Sequence, residues 1–361
     1  MGVKLHRGFE SRPLRYAMPC KSTRLIAFDG AVKVRAFDAK DEPRVLEVLQ
    51  AAFGQWPRDI QGVTASEFFR WKHMAGPFGP SILLVAEVDG EVIGFAAYMP
   101  WRFRARGQIL RAMRAVDFAV HPSHRRRGTS MALTQAAVKH FSGDVAFTWS
   151  NPNEQSRPGS LKSGRHEVRR LPRFVRLRGP LRETIRRGSG RGSKTPPHMR
   201  IKAETAAEIL HDGSYASRLL ARTKDPDDRL ATVKDLDYLR WRYGQLAEYR
   251  AVRIDTDGGG SGMAIFRARR HGSFWVSHVC ELFVEDDDRR TIRHLLHQVR
   301  DAAPADFISC SFPSRHHAAL YGFVQYRGGT VLMTHPLQQN LVPDPTQRAS
   351  WALSRGDLEL L

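Results

Sequence analysis

One segment of this 361-residue chain constrains its fold more than any other: a strand that enters a helix through a short basic loop. It reads ILRAMRAVDFAV, then HPSHRRRG, then TSMALTQAAVKHF, with Leu133, Ala137, Val138 and Phe141 near one helical face. A helix entered this way has its first N–H groups unpaired, with the positive end of its dipole facing out. Such an end can hold a phosphate. Gly128 would let a ligand come close to the backbone, and Arg125, Arg126 and Arg127 add positive charge. Taken alone, the same residues also read as a solvated loop capping an ordinary helix.

The elements around the loop narrow the choice. Residues 1–31 have no period and read as a tail; a short strand, VKVRAF, starts at Val32. DEPRVLEVLQAAF has helical spacing, with Asp41 as its expected cap and Pro43 in its first turn. SEFFRWKHM is a second short helix, with Ser66 as expected cap. ILLVAEV and EVIGFAAYM flank Asp89-Gly90, a hairpin signal because type I′ turns need positive φ at both central residues. A turn near Gly107 leads to the strand before the basic loop. Behind the helix come a strand, VAFTWS, an Asn-rich loop with a short helix, and HEVRRLPRFVRL, read as one arginine-rich strand.

Residues 182–198 are rich in Arg, Gly, Ser and Pro and read as a linker or exposed excursion. The second half then repeats the order of strands, helix, strand, short helix and strand. The expected organisation is a tail over 1–31, a domain over 32–176, a basic linker over 177–199, a second domain over 200–340 and a tail over 341–361. The expected fold class is α/β (α+β), with each half a mixed, mostly antiparallel sheet flanked by helices.

Charge and cysteine usage set the chemical frame. Lys and Arg number 57 against 37 Asp and Glu, for a net charge of +20. That excess implies an anionic partner: a nucleic acid, a membrane surface or a phosphate-rich cofactor. The three cysteines, Cys20, Cys280 and Cys310, are too scattered for a disulfide framework or a zinc site, and point to the reducing cytoplasm. The basic N-terminus lacks the apolar core of a signal peptide. The most apolar run is broken by Glu87, Asp89 and Glu91, which excludes a membrane-spanning helix there. His73, His121 and His124 lack metal-ligand spacing, and Trp56, Trp71 and Trp101 read first as core residues.

In this order of elements the basic loop resembles motif A of the GNAT superfamily of acyl-CoA-dependent N-acyltransferases. The motif, Q/R-x-x-G-x-G/A, is met by Arg125, Gly128 and, imperfectly, Ser130. VHPSHRRRG is similar to tandem-GNAT acetyltransferases of the enhanced-intracellular-survival type. The resemblance implies acetyl-CoA (acyl-CoA) as co-substrate, no metal, and a primary amine on a small molecule or protein as acceptor. It places Phe118, Ala119 and Val120 beside the pantetheine arm. The amides of Arg126, Arg127, Gly128, Thr129, Ser130 and Met131 would hold the pyrophosphate. A family Asn that contacts the cofactor corresponds to Asn153, and the family's tyrosine acid falls at Ser160, a far poorer acid than a phenol. Asp117 and Glu154 are the candidate bases, each with a competing structural reading. The three tryptophans fall where the family shapes its acceptor groove.

The second half has Glu285-Asp286-Asp287-Asp288 where the first has its basic loop, with no glycine, so it is expected not to bind acyl-CoA. Leu320-Tyr321-Gly322-Phe323 resembles the end of the same fold, which makes this half a degenerate copy. The alternatives are a Fem-type transferase using aminoacyl-tRNA, with the positive charge serving RNA, and a non-catalytic binding protein. The Arg165–Arg191 stretch is read either as a solvated face or as a contact for an anionic acceptor or nucleic acid. The sequence leaves acceptor, acyl length and oligomeric state open.

Overall fold

The computed structural model of the chain describes residues 26–28, 32–58, 60, 62–141, 143–179, 201–224, 226, 228–245, 248–256, 260–326 and 328–358. Two sheets organise them. The first is laid down by hairpins. β1 (Ile26–Phe28), β2 (Val32–Ala36), β3 (Ile82–Val88), β4 (Glu91–Ala105) and β5 (Gln108–Val120) pair antiparallel in turn. Asp89 and Gly90 have φ of 50° and 82°, and Arg106 and Gly107 have 52° and 71°, so both tight turns have positive φ at their central pair. β5 then runs parallel to β6 (Phe147–Ser150) through α3 (Thr129–His140), and β7 (His166–Arg170) lies further out. Two helices, α1 (Glu42–Phe53) and α2 (Ala65–His73), sit between β2 and β3 in the chain.

Local chemistry corrects two expected caps. Asp41 precedes α1 but does not cap it; its carboxylate is bound by Arg35 at 2.6 Å, while Pro43 takes the first turn as expected. α2 is capped by Thr64, which forms a reciprocal box with Glu67. Ser66 lies one residue inside and donates to Glu42.

HEVRRLPRFVRL is two strands, not one. Pro172 cannot donate to a ladder, and the chain leaves the first sheet at Leu171-Pro172. β8 (Arg173–Leu177) joins the second sheet instead, next to β14 (Phe307–Cys310) and β15 (Val324–Tyr326). The second sheet continues through β13 (Phe274–Val284), β12 (Gly262–His271), β11 (Arg250–Ile254) and β9 (Glu204–Thr205). In return β16 (Val331–Pro336) inserts between β6 and β7 of the first sheet. The halves thus exchange one strand each, and the two sheets do not divide at a single point in the chain. β10 (Ala231–Thr232) adds a second crossing by pairing with β4.

The repeat survives this exchange. β13 passes through α8 (Arg289–Ala302) into parallel β14, as β5 passes through α3 into β6. Two short helices, α5 (Ala206–Asp212) and α6 (Ser214–Arg222), precede that unit, with α7 (Leu236–Leu239) and a π-helical turn at Arg240–Gly244 after them. Each crossover helix covers one face of its sheet: Leu133 and Ala137 pack with Leu84 and Met113, and Leu295 and Val299 with Phe266 and Ile308. Gly94 lets α3 sit close to β4, since a Cβ there would meet Thr129 Cγ2 at 3.1 Å.

A third core cluster joins the halves, running from Val45, Phe68 and Trp101 to Leu239, Ile265 and Trp351. At its centre Trp71 and Trp241 stack at 5.3 Å, and each indole N–H donates to the other's carbonyl. The linker expected at 177–199 lies almost wholly outside the described residues, as does most of the N-terminal tail.

Candidate active site

β5 and β6 are hydrogen-bonded only over Ala112–Arg114 and Phe147–Trp149. Beyond Arg114 and Trp149 the strands separate. The β5 edge from Ala115 to Val120 then has no strand on its β6 side among the described residues, so the amides that point away from β4 have no strand partner there. A bulge marks the separation. Phe95 faces Ala119, but Ala97 faces Val116, so one partner residue opposes Asp117 and Phe118 together. Asp117 takes the left-handed conformation there, with φ 48°, which Asp tolerates better than most residues.

Three donors hold the bulge in place. The Asp117 carboxylate accepts from Trp56 Nε1 at 3.2 Å and from Lys72 Nζ at 2.8 Å, and His73 Nε2 lies 3.1 Å away. Lys72 is 3% exposed and His73 is fully buried. Burial alone would raise the Asp117 pKa, but the Lys72 ammonium and the His73 ring hold it well below the usual carboxylate range. Burial lowers the Lys72 pKa against the opposing pull of Asp117, and keeps His73 neutral. Trp56 and Trp71 flank this cluster and Trp101 lies deeper, all three in the shared core.

β5 ends in the basic loop. Arg126 has φ 64°, and Gly128, with φ 76°, is the N-cap of α3. No side chain caps this helix. A Cβ at Gly128 would meet no atom within 4 Å, so the space over the helix end is open. The Thr129 hydroxyl is buried without a hydrogen-bond partner, as is His124 Nδ1. Arg125 donates to the Ala52 carbonyl, while Arg126, Arg127 and Ser130 are exposed. Met131 donates its N–H back to Gly128 and belongs to the first helical turn.

The corresponding end of α8 differs in kind. Asp288 caps it, accepting from the Thr291 N–H and hydroxyl at 2.8 and 2.7 Å. Glu285 pairs with Arg222 and Asp286 with Lys224. Two of the four acids are thus matched by cations, and the third fills the place a phosphate would take.

The remaining expected residues scatter along the rim. Asn153 uses its side-chain oxygen on Ser156 N–H at 2.8 Å, opening α4 (Arg157–Lys162). Ser160, on that helix, donates to the Ser156 carbonyl at 3.1 Å. Glu154 is exposed and paired with Arg170. Several arginines in the described part of the arginine-rich stretch are committed to structure, while Arg169 is exposed. Arg165 donates to Ser150 Oγ, Arg176 to the Tyr321 carbonyl and Arg178 to the Arg300 carbonyl. Arg182, Arg186, Arg187 and Arg191 lie outside the described residues.

Sequence reasoning missed Arg114 and the segment it holds. Arg114, 3% exposed, has its guanidinium 4.3 Å from the centre of the Trp149 ring. It donates to the Asp357 and Leu358 carbonyls and to Asn151 Oδ1 at the mouth of the separated strands. Those carbonyls belong to α10 (Arg355–Leu358), beyond the short α9 (Arg315–Ala319). Lys234 fixes α10 from the other side through Glu281 and Asp357, at 2.8 and 3.1 Å. No spacing in the sequence links these residues; the nearest signal is that Arg114, like Arg111, stands inside a largely apolar strand.

Residues 33–150 match the family model of the acetyltransferase (GNAT) domain. No curated protein matches the chain. Among solved structures, it is similar to a probable N-acyltransferase from Enterococcus faecalis at 12% identity and TM-score 0.59, over 85% of this chain and 72% of that one. It is similar to Eis1 from Mycobacterium abscessus at 18% identity and TM-score 0.53, over 84% and 73%. Saccharomyces cerevisiae N-myristoyltransferase, solved with myristoyl-CoA, aligns at 12% identity and TM-score 0.51, over 86% and 81%. Residues 33–150 therefore match a GNAT domain model, and the two mixed sheets share the fold of these N-acyltransferase structures. Among the described residues no group of three metal-ligating side chains converges, and no helix is long and apolar enough to cross a membrane.

Proposed function

We propose that this chain is an N-acyltransferase that binds acyl-CoA, with acetyl-CoA as the donor, in its first half and acylates a primary amine of a small molecule or protein. One observation carries the reading: the crossover helix of the first half ends in open amides at Gly128, while that of the second is capped by its own Asp288. Open amides, an empty space over Gly128, the partnerless Thr129 hydroxyl and two exposed arginines suit a pyrophosphate. The unit proposed to bind it is residues 32–170 together with β16. The second half, with its helix end occupied, is a non-binding copy.

Acyl-CoA supplies a thioester carbonyl for the amine to attack. The chain's own groups bind and orient. Amides from Arg126 to Ser130 and the guanidinium groups of Arg126 and Arg127 neutralise the pyrophosphate, while the Met131 amide, spent on Gly128, does not take part. The open β5 edge at Phe118, Ala119 and Val120 aligns the pantetheine amides beside the separated strands, which fixes the reacting carbonyl. Asp117 acts through the bulge. A carboxylate held this far below neutrality by Lys72 and His73 is a weak base, so it positions β5 and does not take the proton. Ser160, bonded to its own helix and poorly acidic, is not the acid. The engaged arginines at 165, 176 and 178 explain part of the positive charge without RNA, which favours acyl-CoA over an aminoacyl-tRNA donor. Sparse cysteine supports a cytoplasmic setting.

The test is thiol release from acetyl-CoA in the presence of a polyamine, an amino sugar, an amino acid or a lysine peptide. Release above the hydrolytic background with at least one amine is expected. Background release with all four, and no acetyl-CoA binding, would remove the proposal.

A further inference from the structure

The second pair of parallel strands separates as the first does. β13 and β14 pair over Val276–His278 and Phe307–Ser309 and then diverge. Here the gap encloses a cavity of about 790 Å³. That is within the range of small-molecule sites, roughly 300–1,000 Å³. Its apolar lining comes from both cores: Val279, Leu282 and Phe312 from the second sheet's cluster, and Leu220, Trp351 and Leu353 from the shared one.

The charged lining is not balanced. Lys234 is neutralised by Glu281 and Asp357, and Lys224 by Asp286. Asp287 is the remaining acid among the lining residues. Against it stand Arg229 and Arg348, whose side chains make no hydrogen bond or ion pair among the described residues. Guanidinium groups beside an apolar wall match a molecule with an apolar body and an oxyanion head, because their planar fork meets carboxylate or phosphate in two-point fashion. A pyrophosphate does not suit this gap, since Asp288 already fills the end of α8. α10 separates the cavity from the first gap: Leu358 lines it, while the Leu358 carbonyl is held by Arg114.

We infer that the gap between β13 and β14 is a binding site for an amphipathic organic anion, distinct from the proposed acyl-CoA site. The site holds the anionic head at Arg229 and Arg348 and the apolar body against Val279, Phe312 and Trp351.

Calorimetric titration of the full chain with decanoate, decyl phosphate and decylamine tests this, since the three share a chain and differ in head group. Decanoate or decyl phosphate should bind at one site, at least about tenfold more tightly than decylamine, a difference of roughly 1.4 kcal/mol. The tighter of the two identifies the head. Arg229→Gln and Arg348→Gln, at side chains that support nothing else, should each weaken that binding several-fold with unchanged melting temperature. Ala352→Trp should block it, and Gly128→Glu should leave it intact. Equal binding of decylamine, no binding of either anion, indifference to both arginine changes, or loss in Gly128→Glu would each overturn the inference.

Discussion

Replacing Asp117 by Asn tests whether the buried charge cluster organises β5. Asn is nearly the same shape and tolerates φ of 48°, so the backbone is not forced to move. The amide oxygen can still accept from Trp56 and Lys72. The new NH2 group faces His73 Nε2, which can accept it by switching tautomer, with Nδ1 donating to Ser81 Oγ 3.2 Å away, but it also meets Lys72 Nζ, which lies 2.8 Å from the same oxygen and can only donate. What is lost is the negative charge opposite Lys72, an ammonium 3% exposed. Removing one partner of a buried pair costs about 3–5 kcal/mol. The retained hydrogen bonds and the new contact of NH2 with the Lys72 ammonium work against each other, so the loss stays within about 3–5 kcal/mol at pH 7. The sign of the pH dependence follows from the two shifts. Asp117's pKa is depressed in the fold, so its contribution is present above the ordinary carboxylate range and is lost as pH falls through that lower value. Lys72's pKa is also depressed in the fold, and more so without Asp117, so the penalty fades as pH rises toward about 10. Urea unfolding of both proteins from pH 3 to 10 should therefore show a gap that is widest near neutrality and closes towards alkaline pH. A gap below about 1 kcal/mol, or one that does not change with pH, would refute the buried-pair account.

Other changes probe separate joints. Ser160→Ala should reduce acyl transfer by less than about tenfold, or 1.4 kcal/mol, because its hydroxyl is spent on the Ser156 carbonyl; a loss of several orders of magnitude in kcat would make Ser160 essential. Gly356→Ala puts a Cβ into the Tyr243 hydroxyl and Glu281 carboxylate, so it should displace α10 and cost about 1–3 kcal/mol in urea unfolding. Trp71→Phe keeps most of the stack on Trp241 but strands the Trp241 carbonyl, for a loss of about 1–3 kcal/mol by the same assay.

What the sequence made legible is local. Asp89-Gly90 gave the hairpin because two positive φ angles are a requirement of two adjacent residues. The strand, Gly128 and the amphipathic helix marked the strand–loop–helix turn for a similar reason, since its signals lie in adjacent residues. In the second half the sequence shows four acids at the equivalent helix start, read as repelling a pyrophosphate; the structure adds that Asp288 caps that helix with its own side chain. The strand exchange was hidden because alternation identifies a strand without saying which sheet receives it. Pro172 is the visible clue, set inside an otherwise β-like run. The Lys72–His73–Asp117 cluster and the Arg114 grip on α10 join residues 44 or more positions apart. Such contacts are made by tertiary packing and leave no periodic trace.

The central claim is that one half binds acyl-CoA and the other does not, because of how each crossover helix begins. Calorimetric titration with acetyl-CoA of the unaltered chain, Gly128→Glu and Asp288→Ala decides it. One site per chain is expected, absent in Gly128→Glu and retained in Asp288→Ala with the fold intact. Two sites in the unaltered chain, or full affinity in Gly128→Glu, would contradict the account.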